Sequence, residues 1–287
     1  MIVVTGATGV VGRPLVALLR DQGLDVRAVA RSADAATLPA GVDVRRADLA
    51  RPEEAAGVLE GADVLFVHPR AVGEAAEKLV ALAAESGVRR VVVLSAVNVD
   101  DDPAYQPSRA NGDRNKEVED AVVTGGLPWV AVRSSTFAVN TIGLFGAQAR
   151  AGDILRAPYG DFAEAPIHEM DLAAVIAQAL VDDSLDGRRI PVTGPQSVTH
   201  EEMVGIIGEV TGRDLQFQEV PPEQAIRGMV ARGLPEAFVT ALMGRYERGA
   251  GKPAEVTDEV ERILGRQART FTRWVADHAD AFQVPAG

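Results

Sequence analysis

The segment "VVTGATGVVGRPLVALL", residues 3–19, constrains the fold more than any other part of the chain. Gly6, Gly9 and Gly12 stand three residues apart, between an apolar run typical of a buried strand and a run typical of an amphipathic helix. Glycines at such a junction permit a tight turn, close approach of the backbone to a pyrophosphate, and close packing of the helix on the sheet. The pattern predicts a dinucleotide-binding turn, with an ordinary strand–turn–helix unit as the alternative.

The predicted turn would hold the phosphates of the dinucleotide at the N-terminus of its helix. Unpaired N–H groups and the positive end of the helix dipole face that point, and both favour a bound anion. The residues predicted to contact the cofactor in this turn are Gly6, Thr8, Gly9, Val10, Val11 and Gly12.

Short apolar runs alternate with amphipathic stretches over the first 135 residues. The predicted strands are residues 2–5, 26–30, 42–45, 64–67, 90–94 and 129–133. Several consist of β-branched residues without polar alternation, as expected for parallel strands covered on both faces. The stretch 73–87 keeps helical spacing between two of them. This alternation predicts an α/β fold with a doubly wound parallel sheet, the Rossmann architecture.

The pattern changes in the second half of the chain. A helix is predicted over residues 169–183, with Asp171 as its N-cap, and a strand over 188–194. Mostly helical segments follow. We predict a Rossmann domain at residues 1–155, rejoined by 166–194, and a smaller, mostly helical substrate-binding lobe at 195–287.

The end of the second predicted strand discriminates between the two nicotinamide cofactors. A carboxylate there would bind the ribose 2′-hydroxyl of NAD(H), whereas an arginine would bind the 2′-phosphate of NADP(H). The chain has Arg31 at that position and no carboxylate before Asp34. NADP(H) is therefore favoured, with NAD(H) as the alternative if Arg31 is only a solvated surface residue. Asp48, after the third strand, would suit the adenine amino group.

Polar side chains follow two strands at the edge where the nicotinamide should lie. In open α/β sheets the ligand binds beyond the carboxyl ends of the strands. His68 and Pro69 follow the fourth predicted strand, and Ser95 follows the fifth, so we expect these residues near the nicotinamide. For His68 the alternative is a hydrogen bond to the backbone. The other histidines lack the spacing of metal ligands and the chain has no cysteine, so no metal site is predicted.

Charge and composition exclude several classes of function. The net charge of −12 argues against non-specific nucleic-acid binding, which depends on Lys and Arg side chains against phosphates. No apolar run reaches the ~20 residues of a membrane span, and the first residues lack the basic segment of a secretory signal. We expect a cytoplasmic protein with a small-molecule substrate and no nucleic-acid or membrane partner. A homodimer is one option for its assembly.

Three further motifs lie beyond the glycine turn. "GLPWVAVRSSTFAVN" has Arg133, Phe137 and Asn140 in an Arg-x3-aromatic-x2-Asn pattern, and "VTGPQSVTHEEMVGIIGEVTGR" and "GLPEAF" follow it. Together with the glycine turn and Arg31, they resemble the NmrA-like branch of the atypical short-chain dehydrogenase/reductases over essentially the whole chain. The resemblance implies that Arg133 contacts the cofactor and that Phe137 and Asn140 line the substrate pocket. The alternatives are a structural ion pair for Arg133 and a place in the core for Phe137.

The resemblance also implies an activity. The characterised proteins that the chain resembles are NADPH-dependent quinone reductases and triphenylmethane-dye reductases. We therefore expect an NAD(P)H-dependent reductase that transfers hydride to a quinone or a related conjugated aromatic acceptor. Two other hypotheses stay open. One is a redox sensor of the NmrA type that binds NADP without turnover. The other is a tailoring enzyme for an aromatic polyketide quinone that acts with a flavoprotein.

The stretch "AYQPSRANGDRNKEVEDAV", residues 104–122, lacks the Tyr-x3-Lys pair of alcohol–ketone chemistry. Tyr105 and Lys116 are eleven residues apart, with a proline between them. Members of the branch carry a Lys or His four residues before a helical glutamate. Counting back from Glu119 gives Asn115, and a step of one residue turns a side chain by about 100° around a helix. We predict that Asn115 faces the cofactor, that Lys116 is solvated and that Tyr105 lines the substrate pocket.

The missing pair constrains the reaction. Reduction of a simple ketone needs a proton donor in step with hydride transfer. A quinone instead gives a phenol-like anion with a pKa near ~10, so water can complete its protonation. The sequence therefore favours a conjugated acceptor, with catalysis mainly by positioning. The candidate catalytic residues are Asn115, His68 and Ser95.

Overall fold

The computed structural model describes residues 1–32 and 38–283, so Asp34 lies outside the described residues. The strands are β1 Ile2–Thr5, β2 Val26–Ala30, β3 Asp43–Arg46, β4 Val64–Val67, β5 Arg90–Ala96, β6 Trp129–Ser134, β7 Ile154–Ala157, β8 Ala163–Glu164, β9 Arg188–Val192, β10 Val198–Thr199 and β11 Gln216–Glu219. The helices are α1 Gly12–Asp21, α2 Pro52–Leu59, α3 Pro69–Val72, α4 Ala76–Glu85, α5 Pro107–Ala110, α6 Asn115–Thr124, α7 Ala147–Ala151, α8 Glu169–Val181, α9 His200–Thr211, α10 Pro222–Ala231, α11 Glu236–Gly249, α12 Glu259–Leu264 and α13 Phe271–Asp277. Each predicted strand is present, with ends within two residues of the prediction.

The described residues form a central sheet of seven strands in the order β3-β2-β1-β4-β5-β6-β9. All neighbouring strands in it are parallel. The chain winds outward from β1 to β3 and then in the opposite direction from β4 to β9. The direction therefore reverses between β1 and β4, which is where open α/β sheets bind ligands at their carboxyl edge. The predicted doubly wound parallel sheet is confirmed.

Helices cover both faces of this sheet. On one face, Val4 packs with Leu15 of α1 and Ile176 of α8. On the other face, Val3 packs with Leu79 of α4. Because successive strand residues point to opposite faces, Val3 and Val4 serve different cores. Each of these side chains is fully buried, and burial of such a side chain stabilises the fold by roughly 1.5–3 kcal/mol.

Helix α8 begins differently from the prediction. Its N-cap is His168, whose Nδ1 accepts a hydrogen bond from the Met170 N–H at 3.2 Å. Asp171, which we predicted as the N-cap, lies inside the first turn, is fully buried and accepts a hydrogen bond from Arg266 at 2.7 Å. That prediction is wrong, because an imidazole nitrogen takes the capping role and the carboxylate instead anchors the segment before α13.

The remaining segments form two smaller hydrophobic clusters. Phe145, Phe271 and Trp274 lie at the centre of the cluster around α9 and α13. Met243 and Tyr246 of α11 belong to the cluster that also includes residues of α10. Helix α11 contacts α5 and the turn before it, so this region reaches the segment that follows β5. No described helix is both long enough and apolar enough to cross a membrane.

Candidate active site

The β1–α1 turn has the backbone geometry of a phosphate-binding turn. Gly6 has φ +64°, in the left-handed region that favours glycine. A Cβ on Gly12 would lie 2.2 Å from the carbonyl oxygen of Gly6, so a side chain there cannot be accommodated. Gly9 and Val10 are exposed before α1, and the first turn of α1 contains no acidic residue. The turn therefore fits a pyrophosphate at its N–H groups.

Thr8 and Val11 complete the predicted contacts in this turn. Thr8 is half-buried, whereas the Val11 side chain is buried in the core on one face of the sheet. Val11 stands directly before α1. It can therefore reach a ligand at this turn only through its backbone.

The carboxyl ends of β2 and β3 enclose a cavity of about 260 Å³ whose lining includes Arg31, Arg46, Asp48 and Arg51. Arg31 is exposed, and Arg46 Nε donates to the Arg31 carbonyl oxygen at 3.0 Å. Asp48 is half-buried, and its Oδ2 lies 3.8 Å from Arg51 Nε. Sequence reasoning missed Arg46 and Arg51, although the "RR" at the end of the third strand was a signal. Clustered guanidinium groups suit a phosphate ester.

His68 lies beside the glycine turn at the end of β4. Its backbone N–H donates to Thr5 Oγ1 at 2.8 Å, and its Nδ1 accepts from the Arg70 N–H at 3.2 Å, which caps α3. A Cβ on Gly6 would lie 3.2 Å from His68 Cβ. Burial lowers the pKa of His68 to about 4, so the ring is neutral at pH 7 and carries its proton on Nε2. Pro69 is buried as the first residue of α3.

The other histidines have structural partners. His168 caps α8, and His278 stacks on Trp274 with ring centroids 4.6 Å apart. His200 is fully buried, with its Nδ1 3.1 Å from the Tyr159 carbonyl oxygen. The part of the chain that the structure describes contains no group of three His, Cys, Asp or Glu side chains placed to hold a metal ion.

Ser95 and Arg133 meet at a buried carboxylate that sequence reasoning did not identify as a site. Glu119 of α6 is fully buried and accepts hydrogen bonds from Ser95 Oγ at 2.5 Å and Arg189 Nε at 2.7 Å. Arg133 approaches the same carboxylate with Nη2 at 2.6 Å and with Nε at 3.0 Å. Burial alone would raise the pKa of this carboxyl, but the hydrogen bonds, led by that from Arg133, hold the pKa below its usual range. Glu119 is therefore ionised at pH 7.

The two candidates at the start of α6 have different surroundings. Lys116 is partly exposed and its Nζ lies 2.6 Å from an oxygen of Asp120, one helical turn away. Asn115 is half-buried as the first residue of the helix. Val118 and Val122 are buried and mark the face of α6 that packs in the core. That Asn115 faces a cofactor stays a prediction.

A cleft of about 520 Å³ lies at the carboxyl ends of β5, β6 and β9 and beside α11. Tyr105, Phe162 and Pro191 form apolar parts of its wall, and Arg133 and Arg189 reach the same cleft. Tyr105 therefore lies at this cleft, and its contact with a substrate stays a prediction. Arg133 and Arg189 therefore connect the buried Glu119 to the cleft. We refer to Ser95, Glu119, Arg133 and Arg189 as the Glu119 cluster.

Phe137 and Asn140 lie outside the lining of this cleft. Phe137 is half-buried against the core on the α1 and α8 face of the sheet, and it forms a single β-bridge with Ile167. Asn140 is exposed. Their predicted contact with substrate therefore depends on where the acceptor extends beyond the cleft.

The parallel sheet, the glycine turn and the cleft at the carboxyl edge define a dinucleotide-binding protein of the Rossmann class. Comparison with known proteins agrees. A profile of the family described as NAD(P)H-binding matches residues 6–183. The chain is 34% identical over 284 residues to (4-alkanoyl-5-oxo-2,5-dihydrofuran-3-yl)methyl phosphate reductase of Streptomyces griseus, covering 98% of this chain and 99% of the relative.

Two further proteins are similar over nearly the whole chain. The NAD(P)H azoreductase of Xenophilus azovorans is 31% identical over 288 residues, covering 98% of this chain and 99% of the relative. The NADPH-dependent quinone oxidoreductase of Escherichia coli has the same fold, with a TM-score of 0.81 and 20% identity, covering 97% and 99% of the two chains. The chain belongs to the NAD(P)H-binding family and is an NAD(P)H-dependent oxidoreductase, which confirms the resemblance drawn from its motifs.

Proposed function

We propose that the protein is an NAD(P)H-dependent reductase that passes hydride to a quinone or a related conjugated acceptor. The observation that carries this proposal is the protonation and hydrogen bonding of the polar groups at the ends of β4 and β5 and at the start of α6. His68 is neutral with a pKa of about 4, Ser95 donates its hydroxyl hydrogen to a carboxylate, and Lys116 is ion-paired. A reaction that needs no strong proton donor suits this arrangement best.

The side chains of the cleft would position the acceptor. The bound cofactor supplies the hydride, and the walls formed by Tyr105, Phe162 and Pro191 suit a flat conjugated molecule. A quinone that takes up hydride becomes a phenolate, which water can protonate because its pKa is near ~10. The chain's own contribution is then orientation and exclusion of water.

The relatives support a conjugated acceptor. One is named for reduction of an azo compound. The other is named for a dihydrofuranone whose ring alkene is conjugated with two carbonyl groups. In both compounds the incoming hydride would generate a delocalised anion. This shared chemistry supports quinones and other electron-poor conjugated molecules as acceptors for this chain.

NADPH is the cofactor that we propose. Arg31 and Arg46 both line the cavity at the ends of β2 and β3, where the ribose 2′-phosphate would lie. Two guanidinium groups can hold a phosphate with charge-assisted hydrogen bonds.

Oxidation of NADPH followed at 340 nm tests the proposal, with a naphthoquinone, an azo dye and an isolated aliphatic ketone as acceptors. We expect turnover of the conjugated acceptors and none of the ketone. A primary kinetic isotope effect with 4-deuterated NADPH would show that the C4–H bond breaks in the rate-limiting step, as direct hydride transfer requires. Tight cofactor binding without any turnover would support the redox sensor, and turnover only after addition of a flavoprotein would support the tailoring enzyme. Equal turnover of the aliphatic ketone would contradict the acceptor class.

A further inference from the structure

We infer that Arg133 and Arg189, held by the buried Glu119, form a catalytic site that stabilises the negative charge developing on the acceptor's oxygen. The inference rests on the proposed function and names the group that replaces a proton donor in it. Hydride supplied by the cofactor, which is oxidised, would form an O–H bond at one quinone oxygen. The electron pair that it brings would make the other oxygen a phenolate, which water then protonates. A fixed cation at that oxygen lowers the barrier, because it interacts more strongly with the anion than with the neutral quinone.

The first observation is that Arg133 and Arg189 have N–H groups that neither Glu119 nor Asp100 uses. A guanidinium has five N–H groups. Arg133 uses Nε and one N–H of Nη2 on Glu119, and one N–H of Nη1 on Asp100 at 2.8 Å. Arg189 uses its Nε on Glu119. Within residues 1–32 and 38–283, the other N–H groups of both arginines have no hydrogen-bond partner, and both side chains line the cleft.

The second observation is the charge of the cluster. Two guanidinium groups share one carboxylate, so the trio carries one net positive charge. Asp100 also pairs with Arg133, but its side chain is 58% exposed and it is shared with Lys116. Solvent therefore screens Asp100 far more than the buried Glu119. One net positive charge therefore remains in the lining of the cleft.

The third observation is that the cluster is pre-organised. The Arg133 side chain is only 15% exposed, and Glu119 fixes it through Nε and Nη2 in a bidentate arrangement. Ser95 Oγ donates at 2.5 Å to Oε2 of Glu119, the oxygen that Arg133 Nε also contacts, and this holds Glu119 in place. The Arg133 donors therefore need little reorganisation when charge develops, which is the condition for effective electrostatic stabilisation. Glu119 is thus a positioning residue and acts through Arg133.

The test compares an acceptor that forms an oxyanion when hydride arrives with an acceptor that forms none. A neutral quinone gains negative charge on oxygen when hydride arrives, whereas a cationic triarylmethane dye becomes neutral. Stopped-flow absorbance at saturating NADPH would measure hydride transfer to each in a single turnover. In Arg133→Met we expect the quinone rate to fall ~100-fold and the dye rate to change less than ~3-fold.

Two further variants sharpen the comparison. Arg188→Met is the matched control, because Arg188 pairs with Glu259, lies outside the cleft lining and should leave both rates within ~2-fold. Glu119→Gln keeps the shape of the side chain and removes its charge. We expect it to lower kcat for the quinone ~10-fold without changing the KM for NADPH. Equal slowing of quinone and dye would indicate a structural role and overturn the inference, as would an unchanged quinone rate in Arg133→Met.

A binding measurement tests the same site without turnover. 4-Nitrophenol is a phenol whose ionised form absorbs visible light, so its pKa in the cleft can be read from a pH titration of its absorbance. We expect bound 4-nitrophenol to ionise at lower pH than the free compound in the wild type and to lose that shift in Arg133→Met. No shift in the wild type would overturn the inference even if quinones are reduced. Absence of turnover together with a clear shift would contradict the proposed function alone.

Discussion

The two ends of the proposed site are built in different ways. The cofactor end is one turn, residues 6–12, whose geometry depends on the close approach of Gly12 to the Gly6 carbonyl group. The acceptor end joins side chains from β5, α6, β6 and β9, and one of its hydrogen bonds connects residues 70 positions apart in the sequence. In the proposed site, a local backbone structure is thus assigned to the cofactor, and a long-range side-chain network is assigned to the acceptor.

This difference determines which changes each end tolerates. The turn has no room for a side chain at Gly12, because a Cβ there would lie 2.2 Å from the backbone carbonyl oxygen of Gly6. The acceptor end depends on the balance of one buried carboxylate against two guanidinium groups, because an unpaired buried charge is costly. We expect changes in volume to damage the first end and changes in charge to damage the second.

The largest effect should come from Glu119→Ala. The change leaves Arg133 and Arg189 without their shared buried carboxylate, and we expect a loss of about 3–5 kcal/mol in the free energy of unfolding. Urea unfolding measures it. Glu117→Ala on the same helix removes an exposed ion pair with Arg109 and should cost about 0.5 kcal/mol. Similar losses in the two variants would show that the buried network does not stabilise the fold.

Gly12→Ala tests the volume limit at the cofactor end. The added Cβ would overlap the Gly6 carbonyl oxygen, so we expect a loss of about 3 kcal/mol and much weaker binding of NADPH, measured by thermal unfolding and fluorescence titration. Gly205→Ala is the control: this glycine lies exposed in α9 with open space at its Cβ position, and the change should stabilise the protein by about 0.5–1 kcal/mol. Normal NADPH binding by Gly12→Ala would contradict the close packing.

His68 should make the stability depend on pH in mild acid. Its pKa is about 4 in the folded protein, below the ordinary 6.5, so the unfolded chain binds the proton more readily between these values. Stability should be complete above pH 6.5 and fall by about 2 kcal/mol by pH 4.5. His68→Asn keeps an acceptor for the helix cap and should show a shallower loss in urea unfolding at the two pH values. An equal loss of unfolding free energy between the two pH values in wild type and variant would show that His68 does not cause the pH dependence.

Arg31→Ala and Arg46→Ala test the cofactor choice. Each change removes a guanidinium from the cavity proposed for the 2′-phosphate, so the KM for NADPH should rise ~10-fold while that for NADH stays constant. Steady-state kinetics with both cofactors measures the difference. Arg45→Ala is the control, because Arg45 pairs with Asp43 and does not line that cavity. An equal rise in the KM values for NADPH and NADH would show that the arginines do not recognise the 2′-phosphate.

The smallest effect should come from Lys116→Met. Lys116 forms a surface ion pair with Asp120 on the same helix, and such pairs contribute about 0.3–0.5 kcal/mol. We expect kcat for a quinone to stay within ~2-fold of the wild type. A loss of two orders of magnitude would assign Lys116 a catalytic role and contradict its assignment as a surface ion-pair residue.

Much of the fold could be predicted from sequence because its signals are local. The apolar run before Gly6 and the glycine spacing indicated β1, the turn and α1, since strand and helix periodicities are visible within a few residues. The prediction of Asp171 as the cap of α8 was wrong because an Asp near a helix start also suits a buried ion pair, here with Arg266 and Arg269. Only the packing of the segment before α13 distinguishes the two roles.

The sequence by itself determined the doubly wound sheet and the cofactor turn, because both are properties of consecutive residues. It also placed Arg31 at the end of β2 and separated Tyr105 from Lys116. Only the tertiary structure brought Ser95, Arg133 and Arg189 onto Glu119, since a hydrogen bond between distant residues leaves no pattern in a single sequence. The parallel pairing of β5, β6 and β9 places those side chains next to one another. Burial of Glu119 strengthens the electrostatic interactions between them.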